Sequence, residues 1–278
     1  MVDRLADVIV LQRYEGQCDL TDSALREIAQ YFLSRTKGKS AYLKYFVADR
    51  TKQVAHDGMY AAEPFLGEPC GSKIICRENG VQFELHPYDG FSYGLFFDQR
   101  QNRKFLANLC REKEAFNGFS YTCGFSVFLA REGAKVTSVD LSKNYLDWGK
   151  QNFLVNGLSL DGHRFIAEDV FLFLKKQVKR GLRYEVILLD PPSFSRNKKT
   201  GTFSLKQDIA ELISLAESAL SPEGLLFFSC NYAGWDSIQL KRIARKIFSR
   251  KSKWLDLPEI PLDFKRQTHT LSAFLVRL

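Results

Sequence analysis

The chain has 278 residues, 45% hydrophobic and 26% charged, the make-up of a folded globular protein; disordered and fibrous classes are excluded. Forty Lys and Arg against 32 Asp and Glu leave a formal net charge of +8, which favours a polyanionic partner, and 23 Phe can both fill a core and stack on bases. No apolar run approaches the ~20 residues that span a bilayer, and Met1-Val2-Asp3-Arg4 lacks a signal peptide's apolar region, so we expect a cytoplasmic protein with no membrane attachment.

Residues 1–90 read as a small α+β domain. Val8-Ile9-Val10-Leu11 is a strand-like run, and Asp22 to Tyr31 is helical with Asp or Ser near its start as a cap. Ser40–Val47, Lys73–Cys76 and Val81–Leu85 are short strands. The last two are joined by Arg77-Glu78-Asn79-Gly80, and Asn-Gly is the strongest short hairpin signal. His86 to Phe96 is a turn-rich linker. Residues 91–278 read as a second domain in which strands and helices alternate: helix Phe97–Cys110, strand Ala115–Phe119, helix Phe125–Glu132, strand Lys135–Val139, helix Ser142–Asn156, strand His163–Ala167 and helix Val170–Lys179. Strand Glu185–Leu189, a loop, helix 204–219, strand Leu225–Ser229, helix 236–249 and strand Ser272–Leu278 complete it. That alternation predicts an α/β fold, a Rossmann-like, doubly wound, mostly parallel sheet with right-handed crossovers.

The motifs fall at predicted strand ends, where open α/β sheets bind ligands. Gly118 to Gly124 joins the first strand to its helix. It is neither Gly-x-Gly-x-x-Gly nor a P-loop, which disfavours a pyrophosphate cofactor; alone it is also compatible with a plain turn. Asp140 ends the second strand, where an acid accepts ribose hydroxyls or caps the next helix, a task Ser142 could take instead. Asp169 ends the third with the same two readings. Two such acids after a Gly-bearing turn point to a nucleoside without pyrophosphate, the shape of S-adenosylmethionine. Asp190-Pro191-Pro192-Ser193-Phe194 follows the fourth strand. Pro-Pro fixes the backbone and removes two donors, so the acid can meet a base edge and the ring can stack on it; otherwise Pro-Pro only breaks the strand. The basic loop after it holds Arg196, Lys198 and Lys199 and is expected to be flexible, either meeting phosphates or standing as an ordinary solvated loop. Ser229-Cys230-Asn231 ends the fifth strand, with Cys230 either a small hydrophobe or a nucleophile beside Asp190. The six Cys have no Cys-x-x-Cys and the four His no ligand spacing, so reduced thiols and no metal are expected. Gly90-Phe91-Ser92-Tyr93-Gly94 fits Gly-x-Ser-x-Gly, with Asp263 and His269 to complete a triad, but no buried strand leads into it, as a hydrolase elbow requires.

Taken together, Gly94-Leu95-Phe96-Phe97-Asp98-Gln99-Arg100-Gln101-Asn102-Arg103, Phe119 to Val127, Val139-Asp140-Leu141-Ser142 and Asp190 to Phe194 resemble the class I S-adenosylmethionine-dependent methyltransferases of large-subunit ribosomal RNA that act at cytosine C5 or guanine N7. The match in order and spacing runs over roughly residues 90–232, and Val2-Asp3-Arg4 resembles the start of the family's small central domain. Many members carry an RNA-binding PUA domain before it, which we expect this chain to lack.

The resemblance implies S-adenosylmethionine as cofactor. It places Ser120, Tyr121, Thr122, Gly124, Phe125 and Ser126 around the methionine part, Asp140 with Leu141 at the ribose and Asp169 with Val170 at the adenine. Asp190 would face the sulfonium, and Gln99, Arg100 and Arg103 lie on a helix closing over the site. Catalytic roles fall to Asp190, Phe194 and Cys230, and contacts to an RNA substrate to Pro191, Pro192, Arg196, Lys198 and Lys199. Cys230 stands where cytosine-C5 members have their nucleophile, whereas Asn231 and Gln267-Thr268-His269 are closer to the guanine-N7 members, so the acceptor is split with cytosine slightly favoured. Rival readings are methylation of tRNA, protein or a small molecule, and a non-catalytic RNA-binding module that kept the fold; the three intact acids argue against the last.

Overall fold

Two antiparallel-paired strands start the chain: β1 (Val2–Leu5) turns through Ala6, at φ 55°, into β2 (Val8–Tyr14). Helix α1 (Asp22–Thr36) then provides the crossover that lets β3 (Ser40–Phe46) pair parallel to β2. Thr21 caps α1 by accepting from Ala24 N, and Lys37 ends it in the left-handed conformation. Leu25 and Ala29 of α1 pack on Ile9, Leu11 and Ala41, and β4 (Leu66–Gly67) closes this sheet's far edge. The expected hairpin is present as β5 (Ile74–Glu78) and β6 (Val81–Leu85), with positive φ at both Asn79 and Gly80, 49° and 81°. These elements lie in a first compact unit, Met1–Phe96; Phe97–Leu278 forms a second. This computed structural model describes residues 1–16, 20–47, 61–90, 92–197, 201–265 and 271–278.

In the second unit a 3-10 turn (Phe97–Gln99) leads into α2 (Arg100–Leu109). There follow β7 (Glu114–Gly118), α3 (Gly124–Arg131), β8 (Lys135–Asp140), α4 (Lys143–Leu154), β9 (Arg164–Ala167), α5 (Val170–Lys179) and β10 (Tyr184–Leu189). Ser195 to Asn197 of the basic loop expected to be flexible lie in a strand, β11 (Phe194–Asn197), paired antiparallel with β12 (Gly201–Ser204); residues 198–200 lie outside the described residues. Then come α6 (Leu205–Ala219), β13 (Leu220–Cys230), α7 (Ser237–Ile247), β14 (Lys253–Leu255) and β15 (Ser272–Arg277).

The seven strands of the main sheet run in the order β14-β15-β13-β10-β7-β8-β9. β13, β10, β7, β8 and β9 are mutually parallel, and β15 inserts antiparallel between β13 and β14. From β7 the chain winds outward through β8 and β9, then returns to β10 on the other side. The strand order therefore reverses between β7 and β10, which opens a crevice at their carboxyl ends. On one face Phe116, Ile187, Leu189, Leu226, Phe228 and Cys230 join the inner sides of α5, α6 and α7 in one apolar cluster. Phe125 of α3 packs on Phe227 across the other face, ring centroids 5.5 Å apart. No helix is long and apolar enough to cross a membrane among the described residues.

Candidate functional site

The crevice is built around an unusual loop. After β7, Phe119, Tyr121 and Cys123 all adopt positive φ, 58°, 49° and 61°, a conformation that costs a side-chain-bearing residue of order 1 kcal/mol or more and persists only where its surroundings enforce it. They do: Asp140 Oδ2 accepts from Tyr121 N at 2.9 Å, Ser120 N donates to Val139 O at 3.1 Å, and Asn152 Nδ2 donates to Thr122 O at 3.0 Å. A Cβ at Gly149 would collide with Cys123 Sγ, so α4 presses directly on the loop, and one at Gly118 would sit 2.9 Å from both Leu189 Cδ2 and Phe116 Cε1. Ser120 Oγ is buried and makes no hydrogen bond of ordinary geometry; the Cys123 thiol beside it is only a weak partner. A buried hydroxyl left in that state at a strand end is poised for a polar ligand.

Asp140 also accepts from Ser142 N at 2.9 Å, and burial raises its carboxyl above the usual carboxylate range. Ser142, not Asp140, caps α4 by accepting from Tyr145 N. Leu141 N also acts on the carboxylate; with two oxygens it keeps some acceptor capacity for hydroxyls. Leu141 beside it is 42% exposed, and Tyr121 meets Tyr145 edge-on at 4.5 Å. Asp169 does cap α5, accepting from Leu172 N at 3.0 Å through Oδ1.

Asp190, at the end of β10, is held from two sides. Ser229 Oγ donates to Oδ1 at 2.7 Å and Gln99 Nε2 to Oδ2 at 3.2 Å. Gln99 Nε2 also donates to Ser229 Oγ at 2.9 Å, while Asn102 Nδ2 donates to Gln99 Oε1 at 2.8 Å and fixes that amide's orientation. Burial pushes the Asp190 carboxyl up to about 6, opposed by the Ser229 and Gln99 bonds and the Arg103 charge. Pro191 is buried, Pro192 exposed and Phe194 51% exposed, and Ser193 Oγ ties the segment to Asn231 O at 2.7 Å. Arg196 belongs to β11; Lys198, Lys199 and Gln267–His269 lie outside the described residues.

Cys230 lies near Asp190 but faces the opposite side of the strand. Side chains alternate along β13, so Ser229 faces Asp190 and Gln99 while Cys230 enters the opposite cluster with Leu226 and Phe228. Burial and the Asp190 charge push its thiol up to about 12, the reverse of the lowered value expected of a nucleophile. Several other expected site residues point inward. Ser126 Oγ sits between Asn117 Nδ2 and Ser138 Oγ, 2.8 Å from each. Phe125, Thr122 and Val170 are buried in the core, and Arg103 is buried with its guanidinium 5.8 Å from the Phe125 ring. Gly124 begins α3. Arg100 forms an ion pair with Asp263, which also occupies the acid of the hydrolase-like triad; Phe91 and His269 lie outside the described residues. Ser229 and Asn102 were missed; the signal for Ser229 was its place one residue before Cys230 on an alternating strand. The five described cysteines are free, and among the described residues no three His, Cys, Asp or Glu side chains gather as metal ligands.

The strand-end acids, the unsatisfied Ser120 hydroxyl and the absence of a Gly-x-Gly-x-x-Gly turn fit a nucleoside bearing an amino-acid chain. Comparison with known proteins agrees. The profile of the S-adenosylmethionine-dependent methyltransferase family matches residues 24–268. The chain is 40% identical over 195 residues, 69% of its length, to the ribosomal RNA large subunit methyltransferase K/L of Psychrobacter arcticus, and spans 25% of that protein. It is 35% identical over 201 residues, 71% of its length, to the ribosomal RNA large subunit methyltransferase K of Neisseria meningitidis, and spans 55% of it. A crystal structure of a methyltransferase complexed with SAH superposes with a TM-score of 0.85 at 29% identity, covering 100% of this chain and 71% of that one.

Proposed function

Because the chain belongs to the S-adenosylmethionine-dependent methyltransferases, we propose that it methylates a base of large-subunit ribosomal RNA in the β7–β10 crevice, with guanine N7 as the acceptor rather than cytosine C5. The observation that carries the acceptor assignment is Cys230: its thiol is buried, pushed up to about 12 and on the far side of β13 from Asp190. Cytosine C5 is a poor nucleophile and needs a thiolate added at C6. Guanine N7 already offers a lone pair, so alignment and exclusion of water suffice.

The cofactor supplies a methyl group on a sulfonium, with a neutral thioether to leave. The chain's own residues bind and orient. Ser120 Oγ and the loop to Gly124 would hold the amino-acid end, Asp140 with Leu141 beside it would take the ribose hydroxyls, and Asp169 would take the adenine amino group. Asp190, fixed by Ser229 and Gln99, would set a negative charge beside the cofactor's sulfonium. Pro191 and Pro192 keep that segment rigid, and exposed Phe194 offers a stacking surface for the target base. The basic residues Arg196, Lys198 and Lys199 would meet phosphates of the RNA.

In the Cys230→Ala variant, turnover on protein-free large-subunit ribosomal RNA should stay within about threefold of wild type, and RNA containing 5-fluorocytosine should trap no covalent adduct. Nucleoside mass spectrometry of the product should show 7-methylguanosine. A trapped adduct together with an inactive Ala variant would restore cytosine C5. For the cofactor site, Asp140→Ala should weaken S-adenosylmethionine binding by about 1–3 kcal/mol, the cost of unpaired hydroxyls, as read by calorimetry. Unchanged affinity would remove Asp140 from the site.

A further inference from the structure

The positive charge of this protein is concentrated in one place. Seven of the 40 Lys and Arg stand between Ser237 and Leu255, a stretch with no Asp or Glu. It carries +7 of the formal +8, so the remainder of the chain is close to neutral.

Four of the seven, Lys241, Arg242, Arg245 and Lys246, lie on α7. At 100° per residue they fall within an arc of about 140°, opposite the buried Leu240 and Ala244. Ile238, 70% exposed, lies in the same arc. The Arg245 guanidinium rests 4.9 Å from the Trp254 ring and so joins the helix face to β14. Lys251 adds a charge just before that strand, which forms the edge of the sheet, and Lys253 starts the strand on the side opposite Trp254. There Lys253 pairs directly opposite Arg277, and like charges facing each other across a ladder are destabilising.

Elsewhere on this unit several basic side chains pair with acids, as in Lys113–Glu185, Lys150–Asp147, Lys175–Glu211 and Lys176–Glu168, and those that do not are scattered rather than gathered in one stretch. Lys241, Arg242, Lys246, Lys251 and Lys253 have no ion pair among the described residues. The nearby Glu217 carboxylate forms no ion pair with them; it accepts from the backbone N–H groups of Ser249 and Arg250. Arg250 itself is occupied by Leu220 O and Ser221 O. A surface shaped only by solubility intersperses both signs, and a lysine that guards an edge strand explains Lys253 but not the helix face.

We propose that the α7–β14 face is a docking surface for the phosphodiester backbone of RNA, separate from the hairpin next to Asp190. The proposal rests on the reading of RNA as the substrate. A polyanion supplies the missing countercharge along α7 and at Lys251 beside it, and the surface positions the nucleic acid without reading its sequence.

The test is a triple charge reversal in the full chain, Arg242→Glu, Lys246→Glu and Lys251→Glu, with binding to protein-free large-subunit ribosomal RNA measured between 50 and 200 mM salt. Wild-type affinity should fall with salt. The variant should bind at least tenfold more weakly, and its log–log slope should be shallower by about 2, from ~0.7–0.9 for each of three phosphates no longer neutralised. Affinity for S-adenosylhomocysteine should not change, which shows the fold intact; the same triple to Gln, with a smaller loss in the same direction, covers any folding defect of the Glu form. If both triples bind RNA with wild-type affinity and slope, the docking surface is wrong and the RNA reading stands. If the wild-type chain itself shows no salt-dependent RNA binding, or responds only to anionic vesicles, both fall.

Discussion

Asp190→Asn is expected to lower turnover by about 10²–10³-fold at pH 8, the usual cost of removing one preorganised electrostatic group from an active site. The carboxylate ends β10 in a position fixed by Ser229 and Gln99, with Asn102 fixing Gln99 in turn. Asn keeps the shape and loses the charge. Because burial places the wild-type carboxyl at about 6, kcat/KM should climb as pH rises through about 6 and then level, whereas the Asn variant should show no such step. Binding separates the cause. The sulfonium of S-adenosylmethionine should lose affinity below pH 6 as Asp190 protonates, while the neutral thioether of S-adenosylhomocysteine should not. Equal pH dependence for the two ligands would place Asp190 away from the sulfonium. The same raised value acts on stability with the opposite sign from a salt-bridged acid. The folded state holds the proton more tightly than the unfolded chain between about 4 and 6, so stability falls as pH rises through that window, by a ceiling of roughly 3 kcal/mol. The charged site is thus maintained at the expense of the fold.

Phe116→Ala should destabilise the chain by about 3–5 kcal/mol, the range for deleting a buried aromatic ring, a large share of the 5–15 kcal/mol typical of a folded protein. Phe116 is fully buried on β7, stacked on Phe173 at 5.5 Å and 5.3 Å from Tyr184. It therefore ties the central strand to α5 and to β10 at once. Its ring also fills the space a Cβ on Gly118 would enter, so its loss should loosen the turn into Phe119–Cys123 as well. Denaturant unfolding gives the stability, and calorimetry with S-adenosylhomocysteine in the folded baseline gives the effect on the site. An unfolding free energy within about 1 kcal/mol of wild type would mean that the cluster refills the cavity.

Much of this protein was legible in local pattern. The switch from mixed short strands to strand–helix alternation placed the doubly wound sheet, because helical and strand periods differ and each segment carries its own. Asn79-Gly80 named its hairpin, since only residues tolerant of positive φ fit both central positions. Asp140, Asp169 and Asp190 do stand at the ends of β8, β9 and β10. β1 and β14 were missed because four and three residues respectively are too short to show a period, and the hairpin of β11 and β12 was hidden by its polar, basic composition.

The chemistry of the site came from packing. Alternation shows that Ser229 and Cys230 point to opposite faces, but which face carries Asp190 depends on how β13 lies against β10 and on the arrival of α2, which is distant in sequence. That contact made Ser229 the partner of the acid and left Cys230 in the core, where desolvation disfavours a thiolate. Ser126 and Phe125 stand in the motif, yet the packing of α3 on the sheet turns both inward. The order of elements, the acids at the strand ends and the total charge depend only on neighbours along the chain, and all three could be read there. The burial of each group, its hydrogen-bond partner and the surface that gathers the charge depend on neighbours in space, and those exist only once the sheet has closed between β7 and β10.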